Sequence, residues 1–252
     1  MTHPKIALIT GASRGLGRAM ALALAHKGAA VIGTYHSNKA EAEATAAILA
    51  EAGAKAVMLQ LDTADSKSFA AFAGRLRSAL QENFGRDNLD YLVNNAGIGI
   101  HAAFAETSEE TFDRLMNIHF KGVFFLTQTL LPLIADGGRI LNVSSGLARF
   151  SLPGYAAYAA MKGAVEVLTR YLAKELGPRR IAVNTLAPGA IETDFGGGAV
   201  RDNKALNGFV ASVTAMGRAG LPNDIGGAAA AILGDAGWIT GQRIEVSGGM
   251  FV

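Results

Sequence analysis

Tyr158 and Lys162 stand four residues apart in the stretch Tyr155-Ala-Ala-Tyr-Ala-Ala-Met-Lys162. On a helix, that spacing puts both side chains on one face, so the ammonium can lie beside the phenol or beneath a ligand held against it. A second stretch, Thr10-Gly-Ala-Ser-Arg-Gly-Leu-Gly17, is suited to anions and lies between the apolar run Ile6–Ile9 and a helical pattern over 18–25. Glycines at 11, 15 and 17 let the backbone turn sharply and let a bulky anion approach the free N–H groups of the helix start. The expected ligand is a pyrophosphate. The spacing G-x-x-x-G-x-G is neither the G-x-G-x-x-G fingerprint nor the G-x-x-x-x-G-K-[ST] phosphate loop. A third candidate is the pair Ser144 and Ser145, which follows the apolar run 139–143. If that run is a strand, the serines sit at its carboxyl end, the edge of an α/β sheet where ligands bind.

These groups need a scaffold that brings a glycine turn, a strand end and a helix to one place. Short apolar runs at 6–9, 30–34, 55–61, 89–93, 139–143, 181–186 and 242–246 read as strands. Helical patterns alternate with them. The 39–52 helix stops at Gly53, and the stripe Phe69, Phe72, Leu76 and Leu80 marks the core face of the next, which Gly85 closes. Thr107 with Glu110 reads as a capping box opening one long helix through Phe112, Leu115, Met116, Phe120 and Phe124. Further helices cover 155–177 and 224–233. The alternation predicts an α/β fold: a Rossmann-type, doubly wound, seven-stranded parallel sheet with helices on both faces. With no composition break, residues 1–252 read as a single domain, with a substrate lid at about 191–215 whose first part is rich in glycine.

The second turn bears on the cofactor. In a dinucleotide fold, an acid about 20 residues beyond the glycine turn would bind the ribose 2′-OH and repel a 2′-phosphate. None occurs between Val31 and Ala40; His36, Ser37 and Asn38 stand there, and Arg14 lies within the first turn. All can meet a phosphate, so NADP is expected over NAD. Asp62, at the end of the third strand, is either an acceptor for the adenine amino group or a turn residue. In Asn94-Asn-Ala-Gly97, small residues permit close backbone approach and the amides can lock neighbouring loops.

Composition excludes several classes. Half the residues are hydrophobic and 17% are charged, which rules out disorder, yet no apolar run approaches the roughly 18 residues that span a bilayer. Without cysteine there is no disulfide or thiol chemistry. A net charge of +2 with no dense basic run argues against a nucleic-acid partner. Met-Thr-His-Pro-Lys leads directly into the first strand, leaving no room for a secretory signal, so a cytoplasmic location is expected.

Taken together, these residues resemble the short-chain dehydrogenase/reductase family of single-domain type. The resemblance rests on T-G-x-x-x-G-x-G at 10–17, Asp62, N-N-A-G at 94–97, Asn117, Ser145, Y-x-x-x-K at 158–162 and P-G at 188–189. It implies that Gly11, Ser13, Arg14, Gly15, Leu16 and Gly17 hold the phosphates and adenosine of NADP, that Asp62 and Thr63 contact adenine, and that Asn95, Ala96 and Gly97 flank the ribose. Lys162 would hold the nicotinamide ribose, with Pro188, Gly189, Ile191 and Thr193 around the nicotinamide amide. The family's serine lies thirteen residues before its tyrosine, which selects Ser145 over Ser144. Tyr158 would be the general acid, its pKa lowered by Lys162. Ser145 would bind the substrate oxygen, and Asn117 would hold a water that resupplies protons through Lys162.

The implied reaction is hydride transfer between nicotinamide and a carbonyl or secondary alcohol, run as carbonyl reduction. The resemblance also implies a homodimer or homotetramer. Met161 departs from the small polar residue often found before the lysine, and acidic Asp136 stands where members serving acyl carrier protein are typically basic, so that partner is not favoured. The competing readings are an NAD-dependent alcohol dehydrogenase on the same site and a non-catalytic NADP-binding regulator. A sugar-nucleotide epimerase would need T-G-x-x-G-x-x-G, which Arg14 breaks.

Overall fold

Runs of apolar residues with no polar alternation form strands covered on both faces. In the computed structural model, which describes residues 4–252, Ile6–Ile9 (β1) is buried throughout, and so is Leu89–Asn94 (β4). Between them lie Ala30–Tyr35 (β2) and Ala56–Gln60 (β3); Ile134–Val143 (β5), Ala182–Pro188 (β6) and Arg243–Val246 (β7) follow. All pair in parallel, in the order β3-β2-β1-β4-β5-β6-β7. The order reverses between β1 and β4, so the crevice for a ligand opens at the carboxyl ends of those two strands.

One face carries Gly15–His26 (α1), Lys39–Glu51 (α2) and Pro222–Gly234 (α9), whose Met20, Leu24, Leu49, Ile225 and Ala229 pack with the sheet. The other carries Phe69–Phe84 (α3), Gly122–Leu130 (α5) and the end of Ala156–Glu175 (α6), around Phe69, Phe72, Leu76, Leu126 and Leu130. The stripe expected on α3 is therefore core. Among the described residues, no helix is long and apolar enough to cross a membrane.

Three expectations are corrected. Thr107 ends a short 3-10 turn, its hydroxyl donating to Ala103 O at 3.0 Å. Consequently Glu109–Met116 (α4) starts one residue later than the Thr107 box implies, capped by Ser108, whose Oγ accepts from the Thr111 N–H at 3.2 Å. The single long helix is broken: Asn117–Lys121 forms a π turn between α4 and α5, in which the Gly122 N–H reaches back to the Asn117 carbonyl. Strand β5 begins at Ile134, where Leu89 pairs with Ile134 before an irregularity in register.

Candidate active site

The glycine turn joins β1 to α1. Gly11 and Gly15 have φ of 67° and 54°, and a Cβ on Gly17 would stand 2.1 Å from the Gly11 carbonyl oxygen. Only glycine fits at 17. Arg14, at the N-cap of α1, provides no side-chain cap, and no acidic residue lies in the first turn, so the helix start is free for an anion. The far side of the turn is locked by β4. Asn95 Nδ2 donates to the Thr10 and Gly11 carbonyls at 2.9 and 3.2 Å, and the Asn95 and Ala96 amides donate to Thr10 Oγ1 at 2.9 and 3.0 Å. Asn95 thus shapes the cradle with its own amide. Sequence reasoning did not find two further supports: Thr45 Oγ1 and Arg18 Nε donate to the Ser13 carbonyl at 2.8 and 3.1 Å. Leu16 packs its side chain on the core, leaving its backbone at the turn.

At the second turn Arg14, His36 and Ser37 are exposed. Asn38 caps α2, its Oδ1 accepting from the Glu41 N–H at 3.2 Å, and this leaves its Nδ2 as the group that could donate to a phosphate. Asp62 accepts from the Ala64 N–H at 2.8 Å, a turn role, while its other oxygen lies 3.6 Å from His36 Nε2. A carboxylate therefore stands beside this turn although none occurs in its sequence. Thr63 follows Asp62, and its carbonyl packs against Gly122, at the end of the π turn. An open helix start, a backbone cradle and exposed Arg14 fit a dinucleotide with a phosphate near the second turn.

On α6, Tyr158 and Lys162 are buried, 7% and 5% exposed. Lys162 Nζ donates to the Val143 carbonyl, at the end of β5, at 2.7 Å and lies 5.5 Å from the centre of the Tyr158 ring. Ser145 caps a 3-10 turn, its Oγ accepting from the Leu147 N–H at 3.2 Å, and its hydroxyl acts to lower the Tyr158 pKa. Ser144 Oγ instead donates to Glu166 Oε1 at 2.7 Å, so the two neighbouring serines face different partners. Burial pushes the Tyr158 phenol well above its ordinary value, against the lowering effect of Ser145. Burial also brings Lys162 down to about 7. The expected lowering of Tyr158 by Lys162 does not operate here, because desolvation of the phenolate outweighs it.

Asn117 lies part-exposed at the start of the π turn, its carbonyl accepting from the Gly122 N–H. His119 occupies the interior, 1% exposed, its ring edge-on to Tyr158 at 5.0 Å between centroids. A Cβ on Gly97 would stand 2.7 Å from His119 Cε1, so the small residue of the 94–97 motif makes room for the imidazole. Burial and the Lys162 charge hold His119 down to about 3, and it is neutral.

A cavity of about 290 Å³ is lined by Phe104, Leu147, Leu152, Pro153, Tyr155 and Ala159 among others, and Leu147 also packs on the buried cluster that holds Tyr158. The end of β6 carries Pro188; Gly189 N donates to Val246 O at 3.1 Å, and Ile191 bridges Gly220. Thr193 is buried, its Oγ1 accepting from the Phe195 N–H at 3.2 Å, and its side chain comes within 3.8 Å of where a Gly15 Cβ would lie. The segment read as a lid is folded: a turn over Phe195–Gly198, then Ala199–Asp202 (α7) and Lys204–Ser212 (α8). Its Phe195 ring lies 5.9 Å from that of Tyr158. Arg201 ties Asp194 to Asp202, and Asn207 Nδ2 donates to Glu192 Oε1 at 2.7 Å.

Behind the serines runs a chain of charges that no spacing announced. Arg243 donates to Glu166 at 2.8 Å, to Glu245 at 2.7 Å and to the Ser145 carbonyl at 3.3 Å, while Arg149 grips both oxygens of Glu245 at 2.7 Å.

Over residues 11–251 the chain matches a family model described as enoyl-(acyl carrier protein) reductase. It is 35% identical over 257 residues to the tetrahydroxynaphthalene reductase PfmaG of Pestalotiopsis fici, covering 97% of this chain and 91% of that one. The reductase LugOII, which catalyses keto-reduction at C1 during lugdunomycin biosynthesis, has a similar structure, with a TM-score of 0.94 and 37% identity over 99% of both chains. The angucycline C-6 ketoreductase LanV, solved with bound NADP, superposes with a TM-score of 0.93 at 35% identity, again over 99% of both chains.

Proposed function

The chain belongs to the short-chain dehydrogenase/reductase family, and from that premise we propose that it is an NADP(H)-dependent carbonyl reductase with Tyr158 as general acid. The observation that carries the reading is the burial of Tyr158 and Lys162 together on α6, with Lys162 Nζ 5.5 Å from the Tyr158 ring centre and held by the Val143 carbonyl. NADPH supplies the hydride when bound. The residues that would hold it are the cradle at 11–17, Arg14 toward the 2′-phosphate, the turn at 36–37, and Thr193 beside Gly15.

As negative charge develops on the carbonyl oxygen, Ser145 donates a hydrogen bond to it and Tyr158 delivers its proton. Burial favours this direction. It keeps Tyr158 in the neutral form that an acid needs, whereas alcohol oxidation would require the phenolate. Lys162, held against Val143, presents its ammonium beneath the phenol.

The substrate is an apolar cyclic ketone. The cavity walls supply aromatic and aliphatic surface, and the relatives above are reductases of naphthalene and angucycline substrates. An acyl carrier protein is not favoured: of the two candidate contacts, Arg179 and Arg180, Arg179 donates to Asp136 at 2.8 Å and to the Leu131 carbonyl at 3.0 Å, so acidic Asp136 offsets the basic charge there. A homodimer or homotetramer is supported by exposed apolar side chains on α4, α5 and α6, namely Phe112, Phe124, Phe125, Val167 and Tyr171. Light scattering giving a monomer at micromolar concentration would reject assembly.

The deciding experiment titrates the purified protein with NADPH and NADH, then follows nicotinamide absorbance with a panel of ketones. Tighter NADPH binding and turnover of cyclic ketones are expected. Tighter NADH binding would replace this reading with an NAD-linked dehydrogenase, and binding without turnover on the panel would favour a regulator.

A further inference from the structure

His119 is buried beside Tyr158, and the mechanism above leaves it unused. Its Nε2 lies 2.8 Å from the Ile98 carbonyl oxygen and 3.2 Å from the Ile98 amide nitrogen. The shorter contact is to an acceptor, which assigns the ring proton to Nε2. Nδ1 then carries a bare lone pair, and among the described residues it has no hydrogen-bond partner. A buried acceptor without a donor is costly, and such atoms are kept where a ligand or water uses them. Lys162 can supply the donors. Its ammonium has three N–H groups, Val143 takes one, and its charge acts on the imidazole. A water needs two or more polar partners to settle in a buried site, and Nδ1 with Lys162 Nζ provides two.

We propose that His119 is a positioning residue whose Nδ1 accepts a hydrogen bond from a water shared with Lys162, and that this water is the entry point for the proton that replaces the one leaving on the alcohol. The inference rests on the carbonyl-reductase reading. Proton balance is simple: one proton leaves with the product, and one enters from bulk water through the held molecule to Lys162. His119 itself neither gains nor loses a proton. The Nε2–H bond to Ile98 fixes the ring, so Nδ1 stays an acceptor throughout. The π turn places the residue there. With the Gly122 N–H bonded to the Asn117 carbonyl, His119 is turned to the interior while Asn117 stays part-exposed.

The test has two arms. The first is nitrogen-15 NMR of the histidines in the enzyme without nucleotide, with His119 identified by its loss in His119→Asn. A neutral ring protonated on Nε2 and unchanged from pH 8 to pH 5 is expected; an Nδ1–H ring, or one that titrates in this range, would overturn the proposal. The second compares His119→Asn with His119→Phe, both checked for native folding. Phe removes the acceptor and should lower kcat roughly 10- to 100-fold, with KM and NADPH affinity little changed and a larger solvent deuterium isotope effect. Asn keeps an acceptor and should restore most of the rate. Equal losses in both variants, or no loss in Phe, would reject the role. If wild-type enzyme turns over no ketone, it is the reductase reading that fails, and the NMR arm still reports on His119.

Discussion

Lys162 Nζ donates to the carbonyl of Val143 at 2.7 Å, so the lysine is tethered to the end of β5 and approaches Tyr158 only as a charge 5.5 Å from the ring centre. Both groups are governed by burial, which penalises each charged form: the phenol is raised above 10.0 and the lysine is lowered to about 7.

The two directions of reaction should therefore separate with pH. Reduction needs neutral Tyr158 and protonated Lys162, so kcat/KM for a ketone should fall as pH rises above about 7, where Lys162 loses its proton. Oxidation needs the phenolate and should keep rising beyond pH 10, since Tyr158 is raised above that value. Rate profiles for both directions test this; a reduction rate that climbs between pH 7 and 9 would contradict it.

Tyr158→Phe keeps the ring beside His119 and Phe195 but removes the transferable proton. Turnover should drop at least about 10²-fold with little change in NADPH affinity. Steady-state rates alongside nucleotide fluorescence titration separate the two, and retained turnover would remove Tyr158 from the acid role.

Arg14→Ala should weaken NADPH far more than NADH. A charge-assisted contact to the 2′-phosphate is typically worth about 1.5 to 3 kcal/mol, or roughly 10- to 150-fold in Kd. Equal weakening of both nucleotides would show that Arg14 contacts only the shared part of the molecule.

Glu245 gives an acid-side prediction. Hydrogen bonds from Arg149, Ser247 and Arg243 hold its carboxyl down to about 2, below the 4.5 of an unperturbed glutamate. A carboxyl lowered in the folded state contributes its full stability above pH 4.5 and loses it as pH falls toward 2. The melting-temperature gap between wild type and Glu245→Gln should thus be widest near neutrality and narrow between pH 5 and pH 3. A gap that stays constant would mean that the ion pair does not set acid stability.

Most of the scaffold was legible because most strands are built on a short apolar run, and Gly53 and Gly85 punctuate the helices as their positive φ allows. Strand β5 was read five residues short, since Asp136-Gly-Gly breaks the apolar pattern in its middle. The glycine cradle and the Tyr158–Lys162 face are local and could be read from spacing alone. His119 could not. Its inward placement depends on a π turn, and the apolar residues around it satisfy an unbroken helical period, so nothing in the pattern marks the phase slip that buries His119. Contacts between residues far apart in the chain were equally invisible: Arg243 meets Glu166 across 77 positions, and Asp62 meets His36 only because β3 lies beside β2.

Gly196, Gly197 and Gly198 all adopt positive φ, at 61°, 76° and 79°. A Cβ at 196 or 197 would meet nothing within 4 Å, so an alanine at either costs only its backbone conformation, on the order of 1 kcal/mol. That penalty falls on the segment that lays Phe195 against Tyr158 and leaves the pocket walls unaltered. The two positions are therefore where the contact between Phe195 and Tyr158 can be varied without a steric cost to any neighbour.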